Sequence, residues 1–283
     1  MVKTGWLPIL RQLQMADKTI LAECLNRIAP PGAAGVVLGL GASAARAESD
    51  RRTQLELSRI TSLIMAANND AALPHLKLMM QKVEELLGAT IESSPSLGTR
   101  ADLYVLIRAM LVKIAPDHLV SLWPILDAEL QSLCKDILAG PQSRYSPGSK
   151  LQGAKLLDVL LLLRPDEFQL HEWLFVTDTI DAIYPSAAIE STAFADEIAP
   201  ALNAATTHLE PLALIMSERT KRRPWLYGAR GSAGNAEEVN AQLAGFFGQL
   251  SIRAFEDLYS LQEIDQDAIT QDVLADIFTD SPQ

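Results

Sequence analysis

The fold of this chain is decided by residues 99–137, which read TRADLYVLIRAMLVKIAPDHLVSLWPILDAELQSLCKDI. Thr99, followed three residues later by Asp102, predicts that a helix begins at Thr99. Apolar residues then recur at the three- and four-residue spacing of one helical face: Leu103, Leu106, Ile107, Met110, Leu111 and Ile114. The stretch therefore predicts a helix that is buried on a broad face.

A turn that contains proline separates this helix from a second one. Ala115-Pro116-Asp117 ends the first helix because proline disfavours α geometry in the residue before it, and Asp117 is a natural N-cap. Pro124 lies inside the second helix and predicts a kink or a split after Trp123. Two antiparallel helices joined in this way form the hairpin from which helical-repeat solenoids are built.

The rest of the chain also reads as helices. Apolar stripes at helical spacing occupy residues 57–67, 76–87 and 239–258, and residues 151–163 are apolar nearly all round. Gly88 is expected to stop the helix over 76–87. About ten helices and no convincing strand pattern predict an all-α fold, a HEAT- or armadillo-like α-solenoid. A compact irregular helical domain is the alternative.

We expect one domain over residues 1–283. Runs rich in glycine, proline, serine and small residues predict loops near 30–48, 139–150 and 219–236, and the acidic C-terminus predicts a frayed tail over 276–283. Between residues 184 and 238 the patterns do not decide the secondary structure.

Composition excludes several classes of protein. Hydrophobic residues make up 48% of the chain and charged residues 21%, which is typical of a globular protein. The net charge of -11 argues against a general nucleic-acid binder, since phosphate binding needs a basic face. The two cysteines favour buried thiols over a disulfide framework. With no signal peptide and no apolar run long enough to span a membrane, the sequence predicts a cytoplasmic location.

Three ordered blocks of the sequence resemble the C-terminal region of the Dopey (Dop1) family. The first is LYVLIRAMLVKIAPDHLVSLWPILDAELQ, with its LVSLWPI core and the acidic Glu129. The others are LQGAKLLDVLLLLRPDEFQLHEWLF from Leu151 and LAGFFGQLSIRAFEDLYSL from Leu243. The resemblance covers about residues 101–183 and 243–278. Family members are far longer than 283 residues, so the chain is expected to be the C-terminal end of a longer protein.

The resemblance implies a non-catalytic scaffold in membrane trafficking, peripheral on Golgi and endosomal membranes. It also implies work with a Mon2-like protein, related to large Arf exchange factors, and with a phospholipid flippase. Family C-termini are implicated in self-association as a homodimer, for which Phe246 and Phe247 on the last long helix are candidates. The competing interpretation is that both phenylalanines belong to the core.

No motif in the sequence supports catalysis, a cofactor or a metal. The segment Gly39-Leu40-Gly41-Ala42-Ser43-Ala44 matches G-x-G-x-x-A, but no alternation of strand and helix surrounds it, so we interpret it as a loop. The histidines are scattered, and the acidic residues near the C-terminus lack the glycine of a calcium loop. We therefore predict that the protein is not an enzyme.

One chemically distinctive stretch, SERTKRRPWLYGARGS, runs from Ser217 to Ser232. It combines basic residues with aromatic ones, and both types favour the headgroup zone of an anionic membrane. The candidate lipid-binding residues are Arg219, Lys221, Arg222, Arg223, Trp225 and Arg230. The alternative function is thus direct binding of phosphoinositide or other anionic lipid. A solvated loop with Trp225 packed into the core is the competing interpretation.

Overall fold

The computed structural model describes residues 4–29, 42–92, 97–177, 193–205, 221–230 and 235–278. Within these ranges the backbone forms α-helices and short 3-10 helices, and the all-α prediction is confirmed. The nearest approach to a sheet in the same ranges is an isolated parallel bridge between Arg222 and Ile264.

The helices are α1 Leu7–Ala16, α2 Ile20–Arg27, α3 Ala42–Ala66, α4 Leu76–Glu92, α5 Leu97–Lys113, α6 Trp123–Leu138, α7 Pro147–Leu163, α8 Asp166–Gln169, α9 Phe194–Ala205, α10 Ala236–Tyr259 and α11 Gln266–Ile277. The 3-10 helices are Thr4–Trp6, Leu73–His75, Pro116–His118, Val120–Leu122, Gly140–Gln142 and Glu172–Leu174.

Contacts divide the described residues into two compact units. The first unit contains the residues up to Ile125 and those from Thr270 onward, and the second contains the residues from Leu126 to Ile269. A single domain over residues 1–283 would require that the two units form one body. That stays a prediction.

In the first unit, α5 is the central helix. Its side chains are buried on every side, and it packs chiefly against α3 and also against α4. Gly98 lies beside the side chain of Gln54, whereas Lys113 donates from Nζ to the carbonyl of Ala67 at 3.0 Å. The start of α5 is therefore next to the middle of α3 and its end next to the end of α3, so these helices run parallel. Parallel helices two steps apart in the chain are typical of helical repeats, which the sequence had predicted.

Helix α5 has neighbours that the sequence does not predict. It packs on α3 and α4, which precede it in the chain. Its pairing with the helix after Pro116 stays a prediction, since α6 belongs to the second unit from Leu126 onward. Periodicity indicates which side of a helix is buried and carries no information about which helix covers it.

Three predicted helix ends are wrong by a few residues. Thr99 lies inside α5, which begins at Leu97, and Gly88 lies inside α4, which ends at Glu92. Pro124 is the second residue of α6, and it causes no kink there because the first turn of a helix has no partner for that N–H. The chain before Trp123 forms two 3-10 turns instead of a helix.

Two predicted loops and the predicted tail also need correction. Helix α3 begins at Ala42, so the loop over 30–48 is wrong from that residue onward, while Gly39 and Gly41 lie outside the described residues. The loop over 139–150 ends at Pro147, where α7 begins. Asp276 is in α11 and its buried carboxylate bonds to Arg108, so the frayed tail cannot begin at this residue.

In the second unit, α7 is buried nearly all round, as the sequence predicts, and it packs against α10. Ser146 caps its N-terminus by accepting a hydrogen bond from the N–H of Ser149. Helix α9 packs along α10 as well, so α10 is covered by two helices over part of its length. The residues 221–230 run beside the C-terminal half of α10 and form the candidate site.

Candidate functional site

The residues Lys221–Arg230, here called the basic segment, carry most of the predicted lipid-binding side chains. The segment has no helix, and it is anchored by its backbone at Arg222. The N–H of Arg222 donates to the carbonyl of Glu263 at 2.9 Å, and its carbonyl accepts from the N–H of Asp265 at 2.7 Å. These bonds fix the start of the basic segment against the chain that joins α10 to α11.

The side chain of Arg222 is engaged in the same region. Its Nη1 donates to the carbonyl of Asp257 at 2.9 Å, and its Nε donates to the carbonyl of Gln262 at 3.0 Å. The carbonyls in the last turn of a helix lack partners within the helix and lie at its negative end, where a cation is favourable. Arg222 therefore caps the C-terminus of α10, and its guanidinium is not available to a ligand in this arrangement.

Trp225 and Arg223 are held by a residue of α10, Arg253. The guanidinium carbon of Arg253 lies 5.2 Å from the centroid of the Trp225 ring, and its Nη2 donates to the carbonyl of Arg223 at 3.2 Å. The guanidinium of Arg223 in turn stacks over the ring of Tyr227 at 4.9 Å. Trp225 is half-buried, and its ring packs against the guanidinium of Arg253, so its role in this arrangement is structural.

Two further contacts anchor the middle and the end of the basic segment. The N–H of Leu226 donates to the carboxylate of Asp158 on α7 at 2.7 Å, and the Leu226 side chain is buried. Near the end, Gln242 on α10 donates from Nε2 to the carbonyl of Arg230 at 3.0 Å. The segment is therefore fixed at several points along its length, which differs from the freely solvated loop that composition suggests.

A small cavity lies between α7, the basic segment and α10. Asp158, Trp225, Phe246 and Arg253 are among its lining residues. Its volume of about 10 Å³ is close to the space that one water molecule needs, so it has no room for an organic ligand. A ligand of this region would have to bind on its outer surface.

The six predicted lipid-binding residues separate into groups with different environments. Arg219 lies outside the described residues. Arg222 and Trp225 are engaged in structural contacts. Lys221 is exposed, and Arg223 and Arg230 are half-buried, with Arg230 donating from Nη1 to the carbonyl of Ala229 at 2.8 Å.

Sequence reasoning missed the residues that hold the basic segment in place. Asp158, Gln242 and Arg253 come from α7 and α10, at least 12 positions away from the atoms that they contact. Their only signal in the sequence is that they are polar residues in otherwise apolar helical stretches.

The two self-association candidates are not on the surface. Phe246 is 1% exposed and Phe247 is 2% exposed, and their rings pack edge to face at 5.1 Å. The structure thus supports the competing interpretation that both belong to the core, and neither can form a contact with a second copy in this fold.

Neither a metal-binding group nor a membrane span is found in the part of the chain that the structure describes. Among these residues, no three His, Cys, Asp or Glu side chains are grouped so that they could hold a metal ion. No helix within the described ranges combines the length and the apolar character that crossing a membrane requires.

Comparison with known proteins identifies relatives of the chain. A family model described as DOP1 C-terminal matches residues 1–260. The chain is 43% identical over 286 aligned positions to Protein dop1 of Emericella nidulans, covering 99% of the chain and 15% of that protein. It is 29% identical over 226 positions to Protein DOP1 of Saccharomyces cerevisiae, covering 79% of the chain and 12% of that protein. No solved structure matches it.

Proposed function

Because the chain belongs to the DOP1 C-terminal family, we propose that it is a non-catalytic adaptor region in membrane trafficking between the Golgi and endosomes. The observation that carries this proposal is the match to Protein dop1 over 99% of the chain. The chain spans about 15% of the length of that relative, so activities of the whole protein are proposals here. The partners that we propose are a Mon2-like protein and a phospholipid flippase, on the cytoplasmic face of Golgi and endosomal membranes.

The fold is compatible with an adaptor. Helices that are stacked side by side bury one face each and leave the others as an extended surface for protein partners. The cavity beside the basic segment is water-sized. We propose docking on the outer surface as the mode of action for this region.

The adaptor proposal is tested by co-purification with a defined partner. The tagged chain is co-expressed with a Mon2-like protein and purified by its tag. The amount of Mon2-like protein that co-purifies is compared with the amount that co-purifies with an unrelated helical domain of similar net charge. Retention that survives washing at physiological salt supports the proposal. If the chain is folded, as judged by circular dichroism, and retains no more Mon2-like protein than the helical control does, the Mon2-like protein is not a direct partner of this region.

A second candidate function is direct binding of anionic lipid by the basic segment. The favouring observation is that the segment is fixed against α7 and α10, with Lys221 exposed and Arg223 beside the exposed Tyr227. Since Arg222 is engaged and Arg230 donates to the carbonyl of Ala229, Lys221 and Arg223 are the candidates. Lys and Arg near an anionic leaflet contribute roughly 1 kcal/mol each, so these two residues supply at most about 2 kcal/mol.

The lipid candidate is tested by charge reversal that spares Arg222. Lys221→Glu with Arg223→Glu changes the charge by the same amount as Lys135→Glu with Arg144→Glu, two exposed basic residues elsewhere in the second unit. Co-sedimentation with vesicles of phosphatidylcholine and phosphatidylserine, with and without phosphoinositide, is measured for both. Loss of binding in the first variant alone supports the candidate, and equal binding by the two variants excludes the basic segment.

Self-association remains a proposal, but the residues that would mediate it are not Phe246 and Phe247. The resemblance to the family implies it, but Phe246 and Phe247 are buried, so a homodimer would need other residues. Light scattering of the purified chain over a range of concentrations determines whether a dimer forms.

A further inference from the structure

Helix α10 changes character along its length. From Val239 to Leu250 it buries the predicted stripe, which includes Leu243. In its last two turns and the residues that follow, large apolar side chains are exposed instead: Ile252, Phe255, Leu258, Tyr259 and Leu261. We call these five residues the α10 apolar face.

Three of the exposed side chains share one side of the helix. Ile252, Phe255 and Tyr259 are spaced three and four residues apart, so they project from one side of the helix. The rings of Phe255 and Tyr259 lie 4.9 Å apart at 60°, which joins them into one aromatic surface. Single exposed apolar residues need no explanation, but a contiguous apolar patch of this kind marks an interaction site.

The basic segment lies at one edge of this patch. Arg222 bonds to the carbonyls of Asp257 and Gln262, and this places the exposed Lys221 next to the end of the α10 apolar face. Glu256 and Glu263 are also exposed in this region and oppose an anionic surface. The electrostatic contribution is therefore small, and the apolar residues must supply most of the binding free energy.

We infer that the α10 apolar face inserts shallowly into the cytoplasmic leaflet of an anionic membrane while Lys221 and Arg223 contact its headgroups. An apolar stripe with aromatic residues, flanked by basic side chains, is the chemistry of a helix that lies in the plane of a membrane interface. Tyrosine is favoured at the depth of the headgroups, where its ring is buried and its hydroxyl is hydrated. This inference rests on the lipid candidate above and names the residues that would anchor it.

The first test measures insertion at one position. Both native cysteines are buried, and burial raises the pKa of each thiol, so a single surface cysteine can be labelled selectively. Tyr259→Cys is labelled with an environment-sensitive fluorophore and mixed with vesicles of phosphatidylcholine and phosphatidylserine. A blue shift is expected, whereas Ile9→Cys on α1, labelled in the same way, should show none.

The second test measures affinity with a matched control. Ile252 is 57% exposed and Ile9 is 61% exposed, both on helices, so Ile252→Glu and Ile9→Glu make the same change at similar positions. Combined with Phe255→Glu, the change at Ile252 should weaken vesicle binding at least about tenfold, or about 1.4 kcal/mol. Ile9→Glu should leave binding unchanged, and circular dichroism checks that all variants are folded.

The outcomes separate this inference from the lipid candidate. Binding that depends on Lys221 and Arg223, without a blue shift at position 259, shows headgroup contact without insertion and overturns the inference alone. Wild-type chain that does not bind vesicles overturns both. If Ile252→Glu with Phe255→Glu converts a dimer to a monomer and leaves vesicle binding intact, the patch is an interface between copies of the chain, and the inference is wrong.

Discussion

The guanidinium of Arg222 donates from Nη1 to the backbone carbonyl of Asp257, 2.9 Å away, and this bond joins the basic segment to the last turn of α10. A residue that composition assigns to a lipid headgroup is therefore a helix cap. The consequence for experiments is direct: reversing Arg222 together with its neighbours would disrupt the structure and the charge at once, so only variants that keep Arg222 report on binding.

Arg222→Ala should lower the free energy of unfolding by about 1 to 3 kcal/mol, because two carbonyls lose a charged donor. Urea unfolding followed by circular dichroism measures the change. Lys221→Ala is the control, since it removes the adjacent exposed charge and should shift stability by no more than about 0.5 kcal/mol. Equal effects of the two changes would show that Arg222 does not act as a cap.

Arg108→Leu should be strongly destabilising. Arg108 is fully buried, with Nη1 3.0 Å from Asp272 and Nη2 2.5 Å from Asp276, both on α11. Its removal leaves two buried carboxylates without their cation, which costs about 3 to 5 kcal/mol.

The control for Arg108 is Arg52→Ala on α3. Arg52 pairs with Glu48, and both side chains are more than half exposed, so its loss should cost less than about 1 kcal/mol. Chemical denaturation of both variants makes the comparison. A change of less than about 1 kcal/mol in Arg108→Leu would contradict the buried ion pairs of Arg108 with Asp272 and Asp276.

Asp102 should make stability depend on pH. Burial raises the pKa of its carboxyl group on α5 from 3.8 to about 7. As pH rises above about 4, the unfolded chain loses this proton while the folded chain retains it, so stability falls until about pH 7 and then levels off. The loss is about 1.4 kcal/mol per unit of pKa difference.

Asp102→Asn should remove this decline, because the amide is neutral at every pH. The variant should match the wild-type chain near pH 4 and be more stable near pH 8, as measured by urea unfolding at both values. Asp117→Asn, a change at an exposed residue, is the control. A constant difference between wild type and Asp102→Asn across this range would exclude the shifted titration.

Phe246→Ala should cost about 3 to 5 kcal/mol, the range for a large aromatic side chain removed from a core. Ile252→Ala, six residues further along α10 and exposed, should change stability by no more than about 0.5 kcal/mol. The thermal unfolding midpoints of the two variants test this contrast. Similar midpoints would mean that Phe246 is not in the core.

Much of α10 could be predicted from the sequence, and the exceptions share a cause. The stripe through Val239 and Leu250 predicts both the helix and its buried side, and both are confirmed. The same stripe extends to Leu258, which is exposed. Periodicity continues beyond the point where neighbouring helices cover α10, and only the packing shows where that cover ends.

By itself, the sequence determined that this chain is all-α, where its main helices lie, which of their faces are apolar and to which family it belongs. These properties depend on residues that are close together in the chain, or on their order along it. The tertiary structure decided that α3 is the main neighbour of α5, that Arg222 caps α10, and that Arg253 supports Trp225. Those contacts join atoms that are far apart in sequence, and their formation depends on how whole helices pack, which no local pattern of residues encodes.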